Sequence, residues 1–435
     1  MAGRVAVIGA GAAGLTSARW LMAAGLEPTV FERTSAVGGL WRPETGLAYP
    51  SLRTNTSKQK TAFSDLAFDA ALPDHPYRDQ VLAYLERYAD VTEVRSCIRF
   101  GHEVAAVSPR PDGADGPDGW TVDGEAFDAV VVASGLFARA VEPRLGDRSR
   151  YRGTIVHSRE YRDPAPFAGK DVVVVGAGSS GADIAVELAD VARSVSIAVR
   201  EIPTFTPRHH RGHPYDHGAT RLAQILPRRV RRWRARRILA EEYRRRGLRL
   251  GRVSLNTTPG TDLLDELARG RITMRPALVA VDAAGVLFAD GTRIDADAVV
   301  LATGYAAEFP FLPPGVPARI DGALGLYRLV FPPAVAGLSF VGMTRVSGPV
   351  FPVAELQARW VAAVLAGHAV LPSAEAMRAE VEMRIARARA MGDDQMRVEL
   401  LPYLDDIAAR IGAKPSLARH PGLLVSPVSA RDYRA

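Results

Sequence analysis

Three features of the sequence predict an α/β protein built from two Rossmann-like dinucleotide-binding domains, one inserted into the other. Two glycine-rich turns, at 9–14 and 176–181, each follow a buried strand and open a helix, and they begin 167 residues apart. Two further buried runs, 129–135 and 298–305, end in a small residue and glycine. We interpret them as strands that return the chain from each domain, so that it leaves the first domain, passes through the second and comes back.

Length and composition are those of a globular protein with room for two or three domains. The chain has 435 residues, of which 47% are apolar and 24% charged. A single cysteine, Cys97, excludes an internal disulfide, a CxxC pair and a thiolate-rich metal site. The first strand starts near Arg4, which leaves no room for a signal peptide, and no run of about 18 apolar residues occurs. We therefore expect a cytoplasmic protein without a transmembrane segment.

The first glycine turn predicts a site for FAD or NAD. Its glycines allow the turn, the approach of a pyrophosphate and close helix packing, and the helix N-terminus faces the phosphates. The next strand ends in Glu32, which would meet ribose hydroxyls and repel a 2′-phosphate. The segment 35–41 that follows resembles the stretch lying along FAD in flavoproteins with two dinucleotide-binding domains. The predicted residues of this site are Gly9, Gly11, Ala12, Ala13, Gly14, Glu32, Gly39, Leu40 and Trp41.

The second glycine turn predicts a site for NADPH. Its second strand ends in Arg200 with no preceding acid, and a guanidinium there suits a 2′-phosphate. The alternative, that Arg200 only begins a surface loop, stays open because the matching position is uncertain by a residue or two. The candidate residues around this turn and at the end of the second returning strand are Gly176, Gly178, Ser179, Ser180, Gly181, Asp183, Arg200, Thr303 and Gly304.

A short motif between the two turns carries a family resemblance. Residues 151–161, YRGTIVHSREY, are similar to the FxGxxxHxxxY pattern of flavin-containing monooxygenases. Gly153, His157 and Tyr161 match this fingerprint, and Tyr151 replaces its phenylalanine. The similarity covers nearly the whole chain and is closest to the animal-type members, through stretches that include VGGLW, SLRTNTSK, LATGYAAEFPFL and PVAELQARWVAAV.

The resemblance implies a reaction and a set of site residues. NADPH would reduce FAD, O2 would add to form a C4a-hydroperoxyflavin, and the terminal oxygen would pass to a soft nucleophile. Asn55 of SLRTNTSK would be catalytic, orienting NADP and the oxygenated flavin, and Thr54 and Thr56 would contact the two cofactors. The segment around Gln357 would lie near the flavin. From the residues alone, Asn55 could also be capping a turn.

Tyr161 distinguishes between reactions within this superfamily. Baeyer–Villiger enzymes usually place tryptophan there, so tyrosine favours N- or S-oxygenation of a small-molecule amine or sulfur substrate. A Baeyer–Villiger enzyme on the same fold and a non-catalytic NADP- and FAD-binding partner protein are the alternatives. We interpret His157 as a structural residue between the domains, and the sequence leaves a homodimer open.

The resemblance and the glycine turns predict the domain boundaries. The first part of the FAD domain covers 1–160, and the NADPH domain covers 161–300 with an arginine-rich insertion at about 205–262. The second part of the FAD domain, with C-terminal helices, covers 301–435.

One segment makes the protein basic. Residues 228–252 hold twelve arginines and two glutamates, a local charge of +10 in a chain whose net charge is +7. A solvated helix face is one interpretation, and a site for an anionic substrate or carrier is the other. No nucleic-acid-binding module accompanies the segment, so we expect no nucleic-acid partner.

A histidine cluster precedes the arginines. Prolines and glycines interrupt the helical spacing that would align its members, so we predict no metal site there. The resemblance implies a role in substrate access, because family members build the loop over the substrate entrance in this region. The cluster consists of His209, His210, His213 and His217.

Overall fold

The computed structural model describes residues 3–110, 119–251, 253, 257–283, 285–317, 319–320 and 322–433. The chain forms two compact units. The first unit comprises Met1–Thr45, Thr56–Ala138 and Ala307–Ala435, and the second comprises Gly46–Asn55 and Arg139–Ala306. The predicted domain boundaries, at 160 and 300, differ from these limits because the strand of the 151–161 fingerprint pairs within the second unit.

Strands and helices alternate through both units. The strands in the leading part of the first unit are β1 Arg4–Ile8, β2 Glu27–Phe31, β3 Ile98–Arg99, β4 Val107–Pro109, β5 Trp120–Val122, β6 Glu125–Phe127 and β7 Ala129–Val132. Those of the second unit are β8 Arg139–Ala140, β9 Thr154–His157, β10 Asp171–Val175, β11 Ser194–Ala198, β12 Thr204–Thr206, β13 His209–His210, β14 His213–Pro214, β15 Thr257–Pro259, β16 Ile272–Arg275, β17 Leu278–Asp282, β18 Gly285–Phe288, β19 Arg293–Ile294, β20 Ala298–Leu301 and β21 Tyr305–Ala306. The trailing part of the first unit contributes β22 Arg319–Ile320, β23 Ala323–Leu324, β24 Leu338–Phe340, β25 Arg345–Val346 and β26 Arg397–Val398.

The α-helices follow the same division. They are α1 Ala12–Ala23, α2 Lys58–Thr61 and α3 Arg78–Val91 in the first unit, α4 Ser179–Leu188, α5 Arg221–Ile225, α6 Arg228–Arg245 and α7 Thr261–Ala268 in the second, and α8 Val350–Leu365, α9 Ala374–Ala390 and α10 Leu400–Arg410 in the first again.

The first unit is built on a parallel sheet with the strand order β24-β7-β1-β2-β3. Its central strands are continuous apolar runs because both faces of the sheet are covered. Val5 and Val7 face a core that includes residues of α1 and α8, and Ala6 and Ile8 face one that includes residues of the sheet β4-β5-β6. Helix α8 is buried along most of its length and packs against α1 and α10. A small antiparallel sheet, β4-β5-β6, precedes the returning strand β7.

The second unit repeats this plan. Its parallel sheet has the order β16-β11-β10-β20-β9, and an antiparallel sheet, β17-β18-β19, precedes the returning strand β20. Each glycine turn therefore lies at the carboxyl end of a central strand, where nucleotides bind in open α/β sheets. The predicted fold class is confirmed.

The fingerprint forms an edge strand of the second sheet. Strand β9 pairs in parallel with β20, and His157 lies opposite Leu301. A Cβ on Gly153 would lie 2.7 Å from the Asp297 carbonyl oxygen, so a residue with a side chain would not fit at this position. His157 Nδ1 accepts a hydrogen bond from the Arg159 amide at 3.1 Å, and burial lowers the pKa of His157. The ring also meets that of Tyr305 edge to face, and a structural role for His157 stays a prediction.

Candidate active site

The turn after β1 has no room for side chains. Gly9 adopts φ +102°, and a Cβ on Gly14 would lie 1.7 Å from the Gly9 carbonyl oxygen. Gly11, at the N-cap of α1, offers no side chain to the N–H groups of the first turn, and that turn contains no acidic residue. These N–H groups and the helix dipole suit a pyrophosphate.

Glu32 is buried at the carboxyl end of β2. One of its carboxylate oxygens accepts a hydrogen bond from the Ala10 amide at 2.7 Å, and the other accepts one from the Thr34 amide at 2.9 Å. These bonds fix the carboxylate beside the glycine turn. The Thr34 hydroxyl also donates to that second oxygen, at 2.7 Å, so the oxygen bound by Ala10 is the one that keeps a lone-pair direction for a ribose hydroxyl.

The segment with Gly39, Leu40 and Trp41 reaches the same turn. These residues form a short 3₁₀ helix, and a Cβ on Gly39 would lie 2.8 Å from Gly11 Cα. The amide of Gly38 also donates to the Ala10 carbonyl at 3.0 Å. Residues that are about 30 positions apart in sequence therefore form one continuous backbone surface with Ala12 and Ala13 at the start of α1.

Gln357 acts on this surface through a glycine that the sequence analysis missed. Its side chain is fully buried, accepts a hydrogen bond from the Gly342 amide at 2.8 Å and donates to the Tyr403 hydroxyl at 2.7 Å. A Cβ on Gly342 would lie 3.1 Å from the Ala13 side chain. Gln357 thus orders the loop after β24 beside the start of α1. The available signal was a buried strand followed by a glycine, the same pattern as in the returning strands.

Helix α8 also carries a buried carboxyl group with an unusual titration. Glu355 accepts hydrogen bonds from the amide and the hydroxyl of Ser64, the former at 2.8 Å. Burial raises its pKa from 4.5 to about 7, and the Ser64 bonds oppose that shift only in part. The folded protein therefore holds this proton more tightly than the unfolded chain does.

We expect Glu355 to make the protein less stable as the pH rises from about 4.5 to about 7. The contribution is at most roughly 3–4 kcal/mol, since one pKa unit corresponds to about 1.4 kcal/mol. Glu355→Gln should remove it, so the variant should gain stability relative to wild type between pH 5 and about 7.5. Urea unfolding at several pH values measures this difference. The exposed Glu382→Gln is the control, and a stability difference for Glu355→Gln that does not change with pH would contradict the prediction.

The turn after β10 repeats the geometry of the first. Gly176 adopts φ +103°, and a Cβ on Gly181 would lie 2.0 Å from the Gly176 carbonyl oxygen. Gly178 is the N-cap of α4 and again supplies no side-chain cap. The backbone fits a second pyrophosphate for the same reasons as in the first unit. Ser179 and Ser180 begin the helix.

Equivalent hydrogen bonds align the two ribose positions. Glu32 donates its amide to the Arg99 carbonyl at 3.0 Å, and Val199 donates its amide to the Arg275 carbonyl at the same distance. Val199 therefore occupies the position of the acid, and Arg200 is exposed directly after it. Recognition of a 2′-phosphate by Arg200, one residue after the position that matches Glu32, stays a prediction. Arg275, which the sequence analysis missed, lies at the end of the neighbouring strand β16.

Thr303 and Gly304 follow the returning strand β20. The Thr303 hydroxyl donates to the Val141 carbonyl, and the Val141 amide donates to the Gly304 carbonyl at 2.9 Å. These bonds fix the chain where it leaves the second sheet. Contact of these two residues with a cofactor stays a prediction.

Asn55 lies at the second glycine turn. Its amide nitrogen donates to the Ser179 hydroxyl at 3.1 Å, and its side chain is otherwise exposed. Thr54 is buried beside it in the second unit, whereas Thr56 belongs to the first unit and hydrogen bonds to the Thr61 hydroxyl at 2.8 Å. The structure thus brings Asn55 to the predicted NADPH turn.

Asp183 faces protein side chains. One of its carboxylate oxygens accepts a hydrogen bond from the Tyr49 hydroxyl at 3.1 Å, and the other accepts one from the Arg208 guanidinium at 3.0 Å. Burial raises the pKa of Asp183, and the ion pair with Arg208 opposes this effect. Its predicted contact with the cofactor stays a prediction.

Three residues of the histidine cluster lie in a hairpin, and His217 lies in the 3₁₀ turn that follows it. Strands β13 and β14 pair in antiparallel fashion, and His210 Nδ1 lies 2.9 Å from a carboxylate oxygen of Glu242 on α6. Within the described ranges, no group of three or more histidine, cysteine or acidic side chains could hold a metal ion.

Helix α6 carries most of the arginine-rich segment, whose last residue, Arg252, lies outside the described residues. Glu241 pairs with Arg211 of the hairpin and with Arg245, and Glu242 pairs with Arg246 and contacts His210 of the hairpin. Trp233 is 59% exposed near the middle. Around it, five exposed arginines form no ion pair within the described part of the chain: Arg229, Arg232, Arg234, Arg236 and Arg237.

Two parallel sheets, each with a glycine turn and an uncapped helix, define a protein with two dinucleotide-binding domains. A model of the flavin-binding monooxygenase-like family matches residues 2–428, so the chain belongs to that family. The predicted resemblance is confirmed. Dimethylaniline monooxygenase (N-oxide-forming) 2 of Oryctolagus cuniculus is 34% identical over 478 aligned positions, which cover 100% of this chain and 89% of that protein.

Solved structures agree with this membership. The S-allyl-L-cysteine S-oxygenase of Allium sativum has a TM-score of 0.71 and 28% identity, covering 95% of this chain and 89% of that one. Cyclohexanone monooxygenase in its open form has a TM-score of 0.67 and 18% identity, covering 97% and 98% of the two chains, which shows a likeness of fold.

The protein is therefore a flavin-dependent monooxygenase that uses FAD and NADPH, as predicted. Among the described residues, no helix is long and apolar enough to cross a membrane.

Proposed function

We propose that the protein is an NADPH- and O2-dependent monooxygenase that oxygenates the nitrogen or sulfur of a small molecule. The position of Asn55 at the second glycine turn is the observation that carries the proposal. The names of two relatives support the reaction class, since one is called N-oxide-forming and the other an S-oxygenase.

We assign FAD to the turn with Glu32 and NADPH to the turn followed by Arg200. When bound, NADPH supplies a hydride and FAD supplies the redox and oxygen-activating chemistry. The chain binds the two pyrophosphates at the N-termini of α1 and α4 and selects NADPH through Arg200. The Asn55 amide, a donor and an acceptor in one group, orients the groups that meet there.

Rapid mixing tests the proposal. The purified holoenzyme is reduced with NADPH without oxygen and then mixed with oxygenated buffer while flavin spectra are recorded. A long-lived spectrum distinct from both reduced and oxidised flavin, followed by N-oxide or S-oxide formation on adding an amine or sulfide, supports the proposal. Immediate return to oxidised flavin with release of peroxide, and no oxygenated product, would overturn it.

The product identifies the rival reactions. An ester formed from a ketone would assign a Baeyer–Villiger reaction, and absence of NADPH consumption would assign a non-catalytic binding protein. Tyr161, in place of the tryptophan usual in Baeyer–Villiger enzymes, supports N- or S-oxygenation. We further propose that the protein is located in the cytoplasm and forms a homodimer. Cell fractionation tests the location, and sedimentation of the purified protein tests the dimer.

We propose that the exposed arginines around Trp233 on α6 attract an anionic substrate or carrier. The KM for a carboxylated sulfide should then rise roughly tenfold between low salt and about 0.5 M salt, because exposed charges are screened. An uncharged sulfide with the same core is the matched control. Equal salt responses for the two sulfides would leave the arginines as a solvated helix face.

A further inference from the structure

One stripe of helix α4 carries three polar side chains that bind a single short segment. Ser179, Asp183 and Glu187 are four residues apart, so they lie on one face of the helix. Each hydrogen bonds to a residue of Gly46–Asn55, which we call the crossing segment. The crossing segment contains none of the helices or strands defined above, so side-chain contacts must fix its path.

The first tether is Tyr49. Its ring is 3% exposed, and its hydroxyl donates to the Asp183 carboxylate at 3.1 Å. The ring meets that of Tyr161 edge to face, with centroids 5.9 Å apart. Tyr49 therefore joins the crossing segment both to the stripe and to the last aromatic residue of the fingerprint.

The second tether converges on Glu187. The Tyr161 hydroxyl donates to one carboxylate oxygen at 2.7 Å, and the Ser51 hydroxyl donates to the other. The fingerprint tyrosine and the crossing segment thus share one acceptor. A phenylalanine at position 161 would fill the same volume without holding this carboxylate.

A buried arginine adds a third tether. Arg208 is 5% exposed and bridges Asp183 and Asp262, with both N···O distances at 3.0 Å. Asp262 also accepts a hydrogen bond from Arg53, two residues before Asn55, at 2.6 Å. Breaking a buried pair on one side leaves an uncompensated charge, so this bridge resists displacement.

We propose that Tyr161 and Tyr49 are positioning residues that, through the stripe on α4, hold the crossing segment so that Asn55 meets the bound nicotinamide cofactor. This inference rests on the function proposed for Asn55. The inference assigns a role to Tyr161 of the fingerprint. The Tyr161 hydroxyl orients Glu187, and Glu187 holds the crossing segment, which ends at Asn55.

The test compares the double variant Tyr49→Phe/Tyr161→Phe with Tyr151→Phe. All three changes remove only a hydroxyl, but that of Tyr151 donates to the Ala296 carbonyl, away from the stripe. Hydrogen exchange of the crossing-segment amides, with and without NADP⁺, is measured on the FAD-loaded protein. The peroxide released per NADPH is measured on the same samples.

In the double variant, exchange of the crossing segment should speed up at least about tenfold, and the uncoupled fraction should rise about threefold or more, with FAD content unchanged. Tyr151→Phe should match wild type. If the double variant fails to bind FAD, the single variants replace it, each with a smaller effect of the same sign.

The inference would be overturned if the crossing-segment amides of the double variant exchanged at the wild-type rate. It would also be overturned if they exchanged faster while the peroxide released per NADPH stayed unchanged. If wild type itself consumes no NADPH, the proposed function fails, and exchange alone decides the inference. NADP⁺ should then slow exchange of the crossing segment in wild type but not in the double variant, and equal slowing in both would overturn the inference.

Discussion

Asn55→Ala is expected to leave FAD bound while the fraction of NADPH that yields product falls at least about tenfold. Asn55 is exposed, but a bound cofactor would cover its amide, and a polar group then left without a partner costs about 1–3 kcal/mol. About 1.4 kcal/mol corresponds to a factor of ten in rate. The amide of Asn55 is hydrogen bonded to Ser179 at the turn where NADPH is expected to bind. Comparing NADPH consumed with N-oxide or S-oxide formed measures the effect.

Asn55→Asp separates the two functions of the amide. The aspartate keeps the shape and the acceptor oxygen, but a second acceptor oxygen replaces the NH2 group, so the side chain cannot donate when it is ionised. If donation matters, Asn55→Asp should be as uncoupled as Asn55→Ala. Full coupling in Asn55→Ala would remove this residue from the mechanism and leave it a turn-capping residue.

Arg200→Ala is expected to raise the KM for NADPH by about 10- to 100-fold and to leave the KM for NADH nearly unchanged. A charge-assisted hydrogen bond is worth about 1.5–3 kcal/mol, and only NADPH carries the 2′-phosphate that would accept it. The aligned hydrogen bonds of Glu32 and Val199 put Arg200 one residue after the position that matches Glu32. Steady-state kinetics with both cofactors measures the ratio.

The control for this variant lies at the opposite end of the same strand. Arg193 precedes β11 and pairs with Asp171 and Asp297 on the surface. Arg193→Ala should therefore change neither KM. An equal rise for NADPH and NADH in Arg200→Ala would show that Arg200 does not recognise the 2′-phosphate. Val199→Glu should shift preference in the other direction, toward NADH.

The sequence predicts the parts of the site that depend on local structure. A glycine turn, its strand and its helix occupy about 25 consecutive residues, so their spacing determines the location of Gly9, Gly14 and Glu32. The fold class follows from two such units and their returning strands. The sequence indicates Arg200 as a candidate but does not show which residue of the second unit matches Glu32. The hydrogen bond between Val199 and Arg275 supplies that alignment.

Contacts between distant segments could not be predicted in this way. Gly342 lies beside Ala13, although the two residues are more than 300 positions apart in the sequence. The contact depends on the buried helix α8, which follows Gly342. The hydrogen bond between the Asp183 carboxylate and the Tyr49 hydroxyl likewise joins residues 134 positions apart. Such pairs depend on tertiary packing, and no local period or spacing signals them.

The crossing segment also limits how the protein can be recombined with its relatives. Because Gly46–Asn55 folds with the second unit while the residues on both sides fold with the first, the chain changes units at four points. A chimaera made by exchanging only 139–306 would inherit a foreign α4 opposite a native Tyr49, Ser51 and Asn55. Chimaeras in which 46–55 and 139–306 come from the same relative should therefore be more stable than chimaeras in which only 139–306 is exchanged. They should also convert a larger fraction of the consumed NADPH into product.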